Sequence, residues 1–114
     1  MRRTVRSIYH ALRGILFALR KEPNFLVESV IAGTVVMLMI VLPLSGLERS
    51  VLALTIVLVL SLELANTAAE RIMDILKTRV HPYARVVKDA MAGAVLIASV
   101  GAVFIGICIL LPYF

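Results

Sequence analysis

The stretch VLALTIVLVLSLELANTAAERIMD, residues 51–74, decides the fold. Val51 to Leu62 is uncharged and apolar; beyond it Leu64, Ala65, Ala68 and Ala69 continue the apolar character, but Glu63, Asn66, Glu70 and Asp74 interrupt it. Read as one helix, those four polar residues sit at offsets 0, 3, 7 and 11, which a 3.6-residue period gathers within roughly a quarter of the circumference. A membrane crossing needs about 20 residues, so this one is long enough only with Glu63 and Asn66 inside it or at its edge. Glu63 lies roughly 10 Å along the axis from Glu70 and is the deepest member of the stripe. An ionised carboxylate at the bilayer centre costs roughly 2.5–3.5 kcal/mol or more, an expense that marks function.

Outward from this segment the chain reads as all-α and membrane-integral. A second apolar run covers Ser29 to Leu44, is preceded by Phe25, Leu26 and Val27, and ends at Pro43 and the Ser45-Gly46 turn signal; a third runs from Ala90 to Leu111 without a charge and stops at Pro112. The expected spans are about 25–43, 50–70 and 90–111. Of the 114 residues 61% are hydrophobic, against roughly 45–50% in soluble domains, and mean hydropathy is +1.02. Three spans leave room for one domain, 1–114, and no soluble second one.

Before the first span, Val5, Ile8, Tyr9, Leu12, Ile15, Leu16 and Leu19 recur at steps of three and four, with Arg2, Arg6, Arg13 and Arg20 largely elsewhere around the helix. That pattern predicts an amphipathic helix over 4–20 lying on the membrane surface. A cleaved signal peptide does not fit, because the apolar run starts late and no small-x-small site follows it. Six of the 12 Lys and Arg residues precede residue 22; Arg71, Lys77, Arg79, Arg85 and Lys88 fall between the second and third spans, and only Arg49 lies in the other loop. The positive-inside rule then puts the N-terminus and the 71–88 loop in the cytoplasm and the C-terminus outside. The net charge of +5 is interleaved with Val, Ile, Leu and Tyr, which points to anionic headgroups and away from nucleic acid. Ala90, Ala94, Ala98, Ala102 and Gly106 form a four-residue ladder of small side chains, a seam where another helix can approach closely. Three helices enclose little by themselves, so an oligomer is expected.

Glu22 and Glu28 flank the entrance to the first span, and Lys88-Asp89 stand at the entrance to the third, all on the predicted cytoplasmic face. Hard divalent cations such as Mg²⁺ take carboxylate and phosphate oxygens, and a Lys offers a point charge to a nucleotide phosphate, so the cluster reads as a metal-nucleotide site. A plainer reading makes Glu22 and Asp89 helix-start charges and Lys88–Asp74 a surface ion pair. No G-x-x-x-x-G-K-S/T loop and no G-x-G-x-x-G is present, so ATP binding must use side chains and metal. His10 and His81 lack partners at zinc-ligand spacing, and Cys108, the only cysteine, sits in apolar sequence suited to helix packing.

The segment Glu63-Leu64-Ala65-Asn66-Thr67-Ala68-Ala69-Glu70-Arg71-Ile72-Met73-Asp74 resembles the signature E-x-x-N-S/T-A-x-E-x-x-x-D of the prokaryotic diacylglycerol kinase family. Lys88-Asp89-Ala90-Met91-Ala92-Gly93-Ala94-Val95 is similar to that family's K-D-x-x-x-x-A-V stretch at the usual interval. With Glu22 and Glu28 the resemblance covers nearly the whole chain. Within the family, His81-Pro82 leading to Lys88-Asp89 and the closing Leu-Pro look most like the undecaprenol kinases of Gram-positive bacteria. The resemblance implies a homotrimer of three-span protomers with an amphipathic surface helix, active sites shared between neighbouring subunits, and a bacterial inner-membrane location. By position it implies Glu22 and Glu70 as ligands of Mg²⁺ bridging ATP phosphates. Asn66, Asp74, Lys88 and Asp89 would complete the nucleotide site, Arg3 would match an N-terminal arginine of the family, and Glu63 would be the general base toward a lipid hydroxyl. The chain departs from the pattern at Ala65 and Ala69, where larger apolar residues are usual; both lie off the acidic stripe and bear on lipid fit.

Undecaprenol is the expected acceptor and diacylglycerol the alternative, since each presents a primary hydroxyl on apolar tails. Two other classes compete. A small ion-coupled carrier could use an intramembrane Glu as its ion site, and would bind no ATP. A non-enzymatic assembly subunit would pair Glu63 with Asn66 between helices and tolerate Gln at position 63.

Overall fold

The computed structural model describes residues 1–76 and 82–114; the loop cations Lys77 and Arg79 and the imidazole of His81 lie outside the described residues. Among the described residues four helices follow one another: α1 (Arg2–Lys21), α2 (Pro23–Val41), α3 (Gly46–Leu76) and α4 (Pro82–Leu110), with a 3-10 turn at Leu111–Tyr113. Among the described residues there is no strand.

Prolines and caps set the breaks. Glu22, forced out of helical geometry by Pro23 behind it, is extended at φ −115° and ψ 103°, and Pro23 then opens α2 as its first residue. Pro43 acts the same way on Leu42 (φ −82°, ψ 148°), so α2 stops at Val41, two residues before the 25–43 span was expected to end. α3 starts on a reciprocal cap: the Ser45 N–H donates to Glu48 Oε1 at 3.0 Å, and the Glu48 N–H donates to Ser45 Oγ at 3.1 Å. That cap begins the helix at Gly46, ahead of the apolar run, and α3 continues to Leu76 because nothing after Asn66 breaks it. Likewise α4 opens at Pro82, a residue suited to a first helical turn, well before the uncharged stretch.

α2, α3 and α4 are each long and apolar enough to cross a bilayer, with 19, 31 and 32 residues when the closing turn is counted with α4. α3 packs most extensively on α4, less on α2, and α1 touches both α2 and α3. The buried residues of α3, Leu52, Val59, Glu63 and Thr67, share one face, so Glu63 continues an apolar inward seam. Ala18 and Phe25 are buried on either side of the α1–α2 break. No residue of α4 is buried, and large apolar side chains such as Ile97 and Phe104 stand exposed along it. On the small-residue ladder Ala94, Ala98, Ala102 and Gly106 are half-buried and Ala90 is exposed. A Cβ added at Gly106 would meet nothing within 4 Å, so within one protomer the seam stays open there.

Candidate active site

The polar residues of α3 divide by depth. Glu63 is 5% exposed, Asn66 and Glu70 are half-buried, and Asp74 is exposed. Thr67 is buried one turn beyond Glu63, and its hydroxyl donates to the Glu63 carbonyl at 3.1 Å. Asn66 Nδ2 donates to Glu70 Oε1 at 3.4 Å, while Asn66 Oδ1 is buried and, among the described residues, has no hydrogen-bond partner. An amide acceptor left in that state is a place where an arriving donor or cation gains most.

α2 and its elbow bring in the other carboxylates. Glu28, Glu70 and Glu22 lie near enough to Glu63 to act on it electrostatically. Glu22 is held by Arg71, whose terminal nitrogen donates to Glu22 Oε1 at 2.7 Å and whose guanidinium carbon lies 5.3 Å from the centre of the Phe17 ring. Lys88 Nζ donates to Asp74 Oδ1 at 3.2 Å and joins α3 to α4, with both side chains more than a third exposed. Asp89 follows on α4, exposed. Arg3 is not brought in: counted along α1 it lies roughly 28 Å from Glu22. Among the described residues no three His, Cys, Asp or Glu side chains form a metal cage. His10 stacks edge-on against Tyr9 at 5.7 Å, and Cys108 is exposed on α4.

Beside Glu28, α2, α3 and α4 border a partly open apolar cavity of about 510 Å³. Its walls include Ala32, Val35, Val59, Ala102 and Gly106, and Glu28 is its charged residue. The open part of the small-residue ladder therefore faces this space. Arg71, Phe17 and Thr67 are the contributors that residue spacing missed. Arg71 pairs with a residue 49 positions earlier, which no local pattern records, whereas Thr67 stood inside the signature and could have been singled out by its place one turn after Glu63.

What can this arrangement do? Buried acid, orphaned amide and outer cation on adjoining helices suit phosphoryl chemistry at the edge of an apolar layer, and comparison with known proteins specifies it. The family model for prokaryotic diacylglycerol kinase matches residues 9–110. The chain belongs to the prokaryotic diacylglycerol kinase family. This is a family of lipid kinases, and membership leaves the carrier reading without support. Two relatives are each 38% identical: a protein named diacylglycerol kinase from Synechocystis sp., over 107 residues, and a protein named undecaprenol kinase from Bacillus subtilis, over 112 residues. The alignments cover 93% and 98% of this chain; the chain spans 61% of the Synechocystis protein and 91% of the Bacillus protein. With the helices described above, family membership makes this a multi-pass membrane protein.

Proposed function

We propose that this chain transfers the γ-phosphoryl group of ATP to the hydroxyl of a membrane lipid, and that the lipid is undecaprenol, giving undecaprenyl phosphate. Glu63 carries the reading: a carboxylate 5% exposed on a helix apolar enough to cross a bilayer, one turn from Asn66 and two from Glu70, in a chain of this family. Coverage supports the choice of lipid, since at equal identity the chain spans 91% of the undecaprenol kinase and only 61% of the diacylglycerol kinase. Diacylglycerol is the alternative acceptor and would leave the chemistry unchanged.

In this reading Glu63 takes the proton from the lipid hydroxyl as its oxygen bonds to the γ-phosphorus. The bond to the β–γ bridging oxygen breaks, ADP leaves, and Glu63 later yields the proton to water. Glu22 and Glu70 are the residues that would hold Mg²⁺, which supplies positive charge against the phosphates. The donor set fits: nucleotide-borne Mg²⁺ needs only one or two protein carboxylates, its other positions going to phosphate and water. Asn66 Oδ1, buried and without a partner among the described residues, on a side chain bonded to Glu70, supports that reading. Lys88 offers its point charge to phosphate while Asp74 and Asp89 complete the nucleotide side. The lipid tail has the apolar cavity beside Glu28 available to it.

The whole of 1–114 is then one kinase domain, with its three spans inside α2, α3 and α4, the first ending at Val41, in a bacterial inner membrane. The 4–20 region of α1 lies along its cytoplasmic surface, the N-terminus inside and the C-terminus outside. Three protomers share their sites, which the distance of Arg3 from its own acids and the unburied faces of α4 support. Transfer of labelled γ-phosphate from Mg-ATP to undecaprenol and to diacylglycerol, each supplied in mixed micelles at matched mole fraction, tests the proposal. Preferential labelling of undecaprenol is expected. Preference for diacylglycerol overturns the lipid assignment, and labelling of neither by folded trimer overturns the activity.

A further inference from the structure

Arg71 has no part in the chemistry above. It follows Glu70 directly, yet its guanidinium reaches back across the layer to the α1–α2 elbow, bonding Glu22 Oε1 at 2.7 Å and lying 5.3 Å from the Phe17 ring centre. One side chain thus ties together α1, the elbow and α3. The direct contact of α1 with α3 is otherwise slight. The arginine side chain is 53% exposed, and an ion pair of that kind adds little to stability, so its consequence is orientation. A planar guanidinium lies over an aromatic ring while its edge donates to a carboxylate, a combination that an ammonium group cannot reproduce. The bond engages one oxygen of Glu22, and a cation can take the other.

We propose that Arg71 is a positioning residue that holds the Glu22 carboxylate against α3, on the Glu70 side, in the orientation from which it serves the metal-nucleotide. This rests on the reading of Glu22 as a metal ligand given under Proposed function. The elbow needs such a tether because Glu22 is neither helical nor packed in the core: it joins two helices through an extended backbone and is held on the α3 side by its ion pair with Arg71.

The test uses the full chain in mixed micelles. It follows the Mg²⁺ requirement both for calorimetric binding of a non-hydrolysable ATP analogue and for turnover. In Arg71→Gln the Mg²⁺ needed for half-maximal binding rises about threefold to tenfold, with kcat at saturating Mg²⁺ within about twofold of the parent. Arg71→Lys keeps the charge without the stacked fork and falls between the two. In a Glu22→Gln background Arg71→Gln produces no further change. An unchanged Mg²⁺ requirement in Arg71→Gln beside a shifted one in Glu22→Gln overturns the proposal alone. So does an effect that persists undiminished in the Glu22→Gln background, or a loss of kcat at saturating Mg²⁺. No shift in Glu22→Gln itself overturns the metal-ligand reading, and this inference with it. Phe17→Leu, which spares both charges, gives a smaller shift in the same direction and carries the test together with Arg71→Lys if Arg71→Gln does not fold; parent behaviour in both of these overturns the proposal.

Discussion

The two ends of α3 use the same residue types to opposite effect. At its N-terminal end Glu48 accepts bonds from the Ser45 N–H at 3.0 Å and the Tyr113 hydroxyl at 2.7 Å, while Arg49 donates to the Met39 and Leu42 carbonyls at 3.0 and 3.2 Å. Every one of those bonds closes a helix terminus or ties one to another: Glu48 caps α3, Arg49 caps α2, and Tyr113 brings in the chain after α4. Toward the other end Glu63 is buried within electrostatic reach of other carboxylates, and Asn66 Oδ1 has no partner among the described residues, a condition that costs about 1–3 kcal/mol for a buried acceptor. The Glu48 end is spent on its own structure. The Glu63 end leaves, among the described residues, a buried carboxylate outside any ion pair and an open acceptor, which suits the phosphates and cation of the proposed function.

Substitutions break that contrast in order of size. Glu63→Gln is expected to abolish phosphoryl transfer, a loss of about 100-fold to 10,000-fold from removing the proposed general base, while assembly and ATP affinity survive. Labelled-phosphate transfer beside size-exclusion chromatography and nucleotide binding checks it, and lost assembly would count against the role. Glu70→Gln should weaken metal-nucleotide binding by about tenfold or more, read as a raised Mg²⁺ requirement; an unaltered one would sink that assignment. Ser45→Ala, at the other end, removes a helix cap worth about 1 kcal/mol and should lower thermal stability in micelles without changing kcat. Tyr113→Phe is the mildest: a small fall in melting temperature with full activity. Lost catalysis in either of the last two would mean the ends are coupled and the contrast is wrong.

Much of the site was readable because it is local. Glu63, Asn66, Glu70 and Asp74 lie within a dozen residues on one helix, so helical periodicity alone aligns them, and their graded depth follows from where the apolar run ends. Lys88 opposite Asp74 was readable as well, although position did not separate an ion pair from a phosphate contact; in the protomer the ion pair forms. The Glu22–Arg71 pair was not readable, since it depends on how the elbow at Pro23 turns α1 and α2 against α3. The ladder ending at Gly106 reads as a seam for another helix, and within the protomer Ala102 and Gly106 border a cavity, so that stretch stays open.

The sequence by itself determined the helices and their breaks, because hydrophobic run length, proline and cap chemistry act within a few residues and need no partner. It also determined the acidic stripe, for the same reason. Only the tertiary structure decided which carboxylate is held by an arginine and, among the described residues, which amide oxygen is left without a partner. Those depend on side chains far apart in the chain meeting at fixed distances, and helix packing sets such distances where residue order cannot.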